Sequence, residues 1–248
     1  MSANISVLNP AKPKRILIVL SNSAVSKQTG WTMGAWVAEF VHPYWEFTEH
    51  GYQVEFASPD GGKIEIDGFS DLRHESGYSA YDILSLGFLL SPTHAALLEN
   101  TQPIAAVNVA EFDAIFLVGG QSPMYTFIDN TALHDFVANA YQQGKGVAVV
   151  CHATCALLKT KMADGTLLVD GKTWTGFANS EEEFADSFVG MRIQPFWIEE
   201  QAKKLPNTNF ITGYRFQSFA IRDGRLITGQ QQFSGGAAAK LAVEALGV

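Results

Sequence analysis

Five small or β-branched residues, Gly146–Val150, are followed at once by Cys151 and His152 and then by a short helical pattern. An apolar run of this length without alternation predicts a strand that is buried on both faces, as in a parallel sheet. A strand that turns directly into a helix lifts the residue at the turn above the sheet, with the helix N-terminus beneath it. The sequence therefore predicts an α/β fold with Cys151 at such a turn.

Two interpretations of Cys151 remain open at this point. A lone cysteine after a buried strand is commonly a small residue of the core. A helix N-terminus, however, lowers the pKa of a thiol and favours the thiolate. His152 adds a base or a cation next to it, which favours a nucleophile.

The rest of the chain alternates strands and helices. Predicted buried strands lie at residues 15–20, 53–58 and 114–118, and predicted helices at residues 33–50, 93–99, 130–143, 195–204 and 235–246, with a further helix beginning at Ser180. The β-α-β rhythm predicts a three-layer α/β sandwich, in which helices flank a mainly parallel sheet. Asp-Gly pairs at residues 170–171 and 223–224 predict two β-hairpins.

The segment at residues 59–110 breaks this rhythm, and we expect it to be an insertion that caps the active edge of the sheet. Residues 21–32 form a polar loop in this interpretation, and residues 1–14 a loose arm. No linker or repeat divides the chain, so residues 1–248 are expected to form a single domain.

Composition excludes several classes of function. The net charge is −8, and no basic cluster extends beyond residues 12–15, which argues against binding nucleic acid or an anionic membrane. No apolar run approaches the length of a membrane span. The first residues lack the pattern of a signal peptide, and the chain has only two cysteines, so a reducing, cytoplasmic location without disulfides is expected.

Other candidate site residues lie where predicted strands end or helices begin. Gly119 and Gly120 end a strand, where backbone N–H groups can approach a substrate oxygen, although a plain tight turn explains them equally well. Glu39 lies among apolar residues of the first helix. We expect it on the solvent face, and the alternative is a buried acid facing the sulfur.

Three consecutive acids offer a partner for His152, as the third member of a triad. Periodicity does not choose among Glu181, Glu182 and Glu183, and a solvated helix start is the simpler interpretation. The histidines show no metal-ligand spacing, so no metal site is expected.

Five segments together resemble the DJ-1/PfpI superfamily, and within it the Hsp31-like group: residues 34–44, 116–120, 148–153, 175–183 and 222–230. The Glu-x-x-His-Pro motif that begins at Glu39 and the Cys-His turn are the most specific of these. The resemblance implies the flavodoxin-like fold of class I glutamine amidotransferases, a homodimer, and chemistry without glutathione, metal or another cofactor.

The resemblance also implies a role for each candidate. Cys151 becomes the nucleophile, Glu39 the carboxylate beside the thiol, and Glu182 the acid that pairs with His152. The amides of Gly120 and His152 become the donors of an oxyanion hole.

Two positions depart from the family pattern. Ala153 stands where relatives commonly carry glycine, and its methyl group narrows the pocket. Gln121 stands where relatives often carry histidine. Both differences bear on the choice of substrate rather than on the fold.

Three functions follow from the resemblance. The first is a glyoxalase III-like conversion of methylglyoxal and related 2-oxoaldehydes to 2-hydroxy acids through a cysteine hemithioacetal. The second is a cysteine hydrolase, namely an amidase, peptidase or deglycase. The third is a stress-related holdase chaperone or redox sensor, in which Cys151 is oxidised to sulfinic acid.

Overall fold

The computed structural model describes residues 12–247, so most of the predicted N-terminal arm lies outside the described residues. Within this range the strands, in chain order, are β1 (Arg15–Val19), β2 (Ala24–Val25), β3 (Thr32–Met33), β4 (Gln53–Ser58), β5 (Gln102–Pro103), β6 (Ala114–Leu117), β7 (Gly146–Val150), β8 (Thr173–Trp174), β9 (Asn209–Phe210), β10 (Ala220–Asp223) and β11 (Leu226–Gly229). The α-helices of the same residues are α1 (Val37–Glu49), α2 (Ile83–Leu90), α3 (Pro92–Ala95), α4 (Pro123–Thr126), α5 (Thr131–Gln142), α6 (Asn179–Val189), α7 (Ile198–Ala202) and α8 (Gly235–Ala245).

Seven of these strands form the central sheet, in the order β10-β11-β7-β6-β1-β4-β5. All neighbouring pairs are parallel except β10 and β11, which form the antiparallel hairpin predicted at residues 223–224. β7 lies between β6 and β11, with Val149 opposite Leu117 and Thr228. Because parallel strands end at the same edge, the residues that follow β6 and β7 lie next to each other.

Helices cover the sheet on both faces, which confirms the predicted three-layer α/β class. Ile16, Leu17, Ile18 and Val19 of β1 are all fully buried, although successive side chains of a strand point to opposite faces. α1 packs against α8, and α8 packs on β7 and β11, whereas α5 packs on β6 and β7. None of the helices at residues 12–247 has both the length and the apolar character that a membrane crossing requires.

The segment at residues 59–110 contributes to the sheet, to its outer packing and to the site. β5 pairs with the end of β4. Phe88 of α2 is buried against Phe40 of α1. Phe69 and Tyr78 line the cavity at the sheet edge. The assignment of the whole chain to a single domain with a cap stays a prediction.

The hairpin predicted at residues 170–171 is wrong. Both residues lie in a turn, but β8 pairs in parallel with β9 instead of with the segment before the turn. Gly171 donates its N–H to the carbonyl of Asn207, and Thr173 donates its N–H to Asp223. A backbone carbonyl and a side-chain carboxylate from distant parts of the chain therefore accept the hydrogen bonds of these two amides.

The first helix begins later than predicted. It starts at Val37, because the preceding residues are tied to distant backbone: Ala35 donates to the carbonyl of Glu65, and Trp36 to that of Gly119. The helix predicted at residues 195–204 is likewise shorter, and α7 spans Ile198–Ala202.

Candidate active site

Cys151 lies at the turn between β7 and a 3₁₀ helix, Cys151–Leu158. Its φ is +56°, and Phe216 is the only other non-glycine residue with a positive φ in the described part of the chain. This conformation costs on the order of 1–2 kcal/mol for a residue with a Cβ. The turn therefore has the strained geometry of a nucleophile elbow.

The surroundings of the sulfur do not give Cys151 the depressed pKa that the sequence predicts. The residue is 2% exposed. Burial raises the pKa of the thiol well above its usual value, and the charge and hydrogen bond of Glu39 raise it further. Hydrogen bonds from the amides of Gly120 and His152 lower the pKa of the thiol, but they do not offset these effects. The prediction is wrong because the sulfur faces a carboxylate rather than a cation and lies away from water.

Glu39 is fully buried on α1, so the expected position on the solvent face is also wrong. Its Oε2 accepts a hydrogen bond of 2.9 Å from the amide of Gly119. Oε1 receives no N–H or O–H bond from the described residues, and the Cys151 thiol is the neighbour of the carboxyl group. Burial raises the pKa of Glu39 to about 7. A thiol and a carboxyl group in contact here hold at least one proton between them near neutral pH.

The Gly119-Gly120 pair is required by close contacts and is not a plain tight turn. A Cβ on Gly119 would lie 2.7 Å from both Cys151 Cβ and Glu39 Oε2. A Cβ on Gly120, whose φ is +106°, would lie 2.4 Å from the carbonyl oxygen of Gly34. Because the Gly119 amide is bound by Glu39, it is not a free oxyanion donor, and the donors at the sulfur are Gly120 and His152.

His152 connects the sulfur to a buried acid. Its Nδ1 lies 3.5 Å from Cys151 Sγ, and its Nε2 lies 3.1 Å from Oε1 of Glu182. The imidazole stacks on Phe177, with 4.0 Å between ring centroids. Glu182 is 1% exposed, and burial raises its pKa. The arrangement is that of a Cys-His-Glu triad.

The structure distinguishes the three consecutive acids of α6. Glu182 faces His152, whereas Glu183 is exposed. Glu181 is also fully buried, but its carboxylate accepts hydrogen bonds from the amides of Ala178 and Phe216 and from the side chain of Gln230. Glu182 thus orients His152, whereas Glu181 fixes the backbone at Ala178 and Phe216.

The two departures from the family pattern lie beside the nucleophile. Ala153 is fully buried, and Gln121 lines the cavity. Gln121 Nε2 lies 3.4 Å from Oδ1 of Asp67, a buried acid whose pKa burial raises to about 6. No spacing or periodicity marks Asp67 in the sequence, and its place beside Gln121 follows only from the tertiary structure.

Cys155 does not take part in this site. It is buried, and its thiol donates to the carbonyl of Pro123 at 3.3 Å. Both cysteines are free thiols. Within residues 12–247 no three His, Cys, Asp or Glu side chains are grouped in a way that could hold a metal ion.

A cavity of about 80 Å³ opens above Cys151. Seven of its sixteen lining side chains are aromatic. Besides Phe177 these are Trp36, Phe69, Tyr78, Phe184, Phe188 and Phe216. Sequence patterns did not single out this wall, because its members come from separate segments of the chain.

Several known proteins are similar to this chain in sequence or in structure. The probable glutathione-independent glyoxalase hsp3103 of Schizosaccharomyces pombe is 28% identical over 261 residues, which cover 96% of this chain and 100% of that protein. The glutathione-independent glyoxalase HSP31 of Saccharomyces cerevisiae is 26% identical over 239 residues, which cover 94% and 98%. The crystal structure of the Rapid Encystment Protein 24 kDa of Francisella tularensis is similar with a TM-score of 0.84 and 26% identity, over 94% of this chain and 99% of that one.

The family profile of DJ-1/PfpI proteins matches residues 33–234, a range that contains Glu39, the Gly-Gly turn, Cys151, His152 and Glu182. Because the match covers most of the chain and the whole of the candidate site, this chain belongs to the DJ-1/PfpI family.

Proposed function

We propose that this protein converts 2-oxoaldehydes such as methylglyoxal to 2-hydroxy acids without glutathione. The observation that carries the proposal is the nearness of two buried groups, Cys151 and the Glu39 carboxyl group, which both pack against Gly119 at the base of a cavity. A thiol supplied by the protein can replace the thiol of glutathione in forming a hemithioacetal. Relatives that match almost the full chain are named glutathione-independent glyoxalases.

The first step is addition of the Cys151 sulfur to the aldehyde carbon. The S–H proton passes to Glu39 as the S–C bond forms, and the carbonyl oxygen becomes an oxyanion that a proton then neutralises. The amides of Gly120 and His152, which face the sulfur, donate hydrogen bonds to that oxygen.

The second step moves a proton between two carbons. Glu39 removes the hydrogen of the hemithioacetal carbon, which gives an enediol, and returns a proton to the neighbouring ketone carbon. The product is a 2-hydroxyacyl thioester of Cys151. Shuttling of this kind requires a group that both accepts and releases a proton near neutral pH, and the pKa of about 7 for Glu39 suits it.

The third step is hydrolysis of the thioester. Water attacks the acyl carbon, and the hydroxy acid leaves as the sulfur recovers a proton. His152, held by Glu182 at 3.1 Å, acts as the base for this water. The sum is addition of one water molecule to the 2-oxoaldehyde, without an external oxidant.

The direct test is an assay of lactate from methylglyoxal, with and without a chelator and in the absence of glutathione. We expect turnover by the wild type, and loss of at least about 100-fold in Cys151→Ala and Glu39→Gln, with circular dichroism unchanged. Unchanged turnover by Cys151→Ser would exclude the proposed mechanism.

A cysteine hydrolase is the second candidate, because the triad and the amides of Gly120 and His152 also suit acyl transfer. The two candidate functions predict different activities for the Glu39→Gln variant. Hydrolysis of an activated ester needs the triad and keeps its rate in that variant, whereas isomerisation of a 2-oxoaldehyde loses its proton shuttle. Trapping of an acyl-enzyme from an amide substrate by the wild type would favour the hydrolase.

A further inference from the structure

The wall of the cavity above Cys151 is largely apolar and rich in aromatic rings. Seven of the sixteen lining side chains are aromatic, and none is lysine or arginine. Methylglyoxal would place a single methyl group against this apolar surface. A larger apolar substituent would remove that surface from water, and the free energy of transfer grows with the buried area.

Phe216 is held on this wall in a strained backbone conformation. Its φ is +54°, a value that among the described non-glycine residues only the nucleophile shares. The Phe216 amide donates to Oε1 of Glu181 at 2.9 Å, and Gln230 Nε2 donates to the same oxygen at 2.8 Å. Because Glu181 is fully buried, this loop is fixed from inside the protein. Strain that is held in place in this way is typical of functional positions.

Phe184 of α6 stands beside Phe216 at the mouth of the cavity. The two rings meet edge to face, with 5.2 Å between centroids and 77° between planes. Arg215 lies over one side of the Phe184 ring, with Cζ 4.9 Å from the centroid, and the ring, which is 38% exposed, also lines the cavity. Aromatic rings in such arrangements favour a further planar ring as a partner.

We propose that the preferred substrates are 2-oxoaldehydes with an aromatic or similarly large apolar group on the ketone carbon, and that Phe184 and Phe216 determine this preference. The inference rests on the proposed function and names its substrate class. The chemistry is the same: the aldehyde carbon is oxidised to a carboxyl group as the ketone carbon is reduced to an alcohol, and water supplies the added oxygen.

The test compares phenylglyoxal, followed by formation of mandelate, with methylglyoxal, followed by formation of lactate. We expect the wild type to have a KM for phenylglyoxal about tenfold below that for methylglyoxal. Phe184→Ala should lower the ratio of the two kcat/KM values by about tenfold, and Phe184→Leu by less, since leucine keeps part of the apolar contact. Comparing ratios between variants cancels the different intrinsic reactivities of the two aldehydes.

Tyr214→Ala is the matched control. Tyr214 is an aromatic residue on the same loop as Phe216, but it is 81% exposed and does not line the cavity. Its substitution should leave the ratio unchanged. A ratio that Phe184→Ala leaves within twofold of the wild type, or equal KM values in the wild type, would overturn the inference while lactate formation still supports the proposed function. Absence of turnover with both aldehydes would overturn the proposed function as well.

Discussion

At the scale of single residues, the site depends on where one proton lies between Cys151 and Glu39. Each group is buried, and burial raises the pKa of both. While Glu39 is ionised it opposes a thiolate, and once Glu39 has taken a proton that repulsion disappears. Thiolate formation and protonation of Glu39 are therefore one coupled event, which suits a nucleophile that is activated only as substrate arrives.

This coupling predicts the pH dependence of the reaction. Only ionised Glu39 can accept the thiol proton, so kcat/KM for methylglyoxal should rise as pH increases through about 7, the pKa of Glu39. Initial rates measured across roughly pH 5 to 9 check this. The control is Glu183→Gln, which removes an exposed carboxylate of α6 and should leave the inflection in place. An inflection near the usual glutamate value contradicts the assignment to Glu39.

The burial of Glu39 also predicts that the protein loses stability at high pH. Since the pKa of Glu39 is about 7 in the folded protein against a usual 4.5, folding favours the protonated form. Its contribution to stability is full below about pH 4.5 and is lost as pH rises through 7. Glu39→Gln should therefore raise the free energy of unfolding at pH 8 by roughly 1–3 kcal/mol.

Denaturant unfolding of Glu39→Gln at pH 8 and at pH 5 measures this effect, and the gain should be smaller at the lower pH. Glu183→Gln is the matched control, because Glu183 is exposed. If Glu39→Gln is less stable than the wild type at pH 8, the prediction is wrong, and contacts within the protein stabilise the ionised Glu39 carboxylate in place of water.

At the scale of elements, the Gly-Gly turn after β6 and the elbow after β7 form one unit. The two strands are parallel neighbours, so both turns lie at the same edge. Gly119 leaves room for Cys151 and Glu39, and Gly120 passes against the carbonyl of Gly34. A side chain at either glycine would separate elements whose distance sets the geometry of the site.

Gly120→Ala tests this contact, with Gly144→Ala as the matched control. Both glycines have a positive φ, but a Cβ on Gly144 would meet nothing within 4 Å. Gly144→Ala should lower the free energy of unfolding by about 1 kcal/mol and keep its activity. Gly120→Ala should lower it by about 1–3 kcal/mol more and lose turnover. Equal losses of stability would mean that the backbone yields to the added methyl group.

The hydrogen bond between Glu182 of α6 and His152 of the elbow leads to another prediction. Glu182→Gln replaces the carboxyl partner of His152 Nε2 with an amide, so hydrolysis of the thioester should slow by about 100-fold. Addition to Cys151 and the proton shuttle do not need this pair. Intact-protein mass spectrometry after mixing with methylglyoxal should then detect the retained 2-hydroxyacyl group. Turnover equal to that of the wild type would remove His152 from the role of base.

At the scale of the whole molecule, the parallel sheet brings the site together. The chemical groups follow or face the carboxyl ends of β6 and β7, and helices cover both faces of the sheet. The segment at residues 59–110 adds Phe69 and Tyr78 to the cavity wall. The core therefore holds the reacting groups, while more exposed segments contribute to the shape of the pocket.

The homodimer expected from the family stays a prediction at this scale. Light scattering coupled to size exclusion should give a mass of twice the 27.0 kDa of one chain. A mass that remains that of one chain over the working concentration range would contradict it.

The strands and helices that depend only on the local residue pattern were predicted correctly from the sequence. β4 and β7 have the predicted bounds. α5 begins and ends within one residue of its own predicted bounds. A buried strand is specified by a run of apolar residues, and a helix by periodicity and its cap, here Asn130. The wrong hairpin at residues 170–171 shows the limit, since strand pairing depends on which distant segment competes for the same backbone groups.

From its order of residues alone, the chain specified a buried strand that ends in a cysteine and a histidine, and a fold that places this turn at a sheet edge. The family motifs added Glu39 and Glu182 as partners. Packing fixed the rest: the burial of Glu39 beside Cys151, the loss of Gly119 as an oxyanion donor, and the aromatic wall of the cavity. These properties depend on burial and on contacts between residues far apart in the chain, and neither is encoded in the neighbourhood of any single residue.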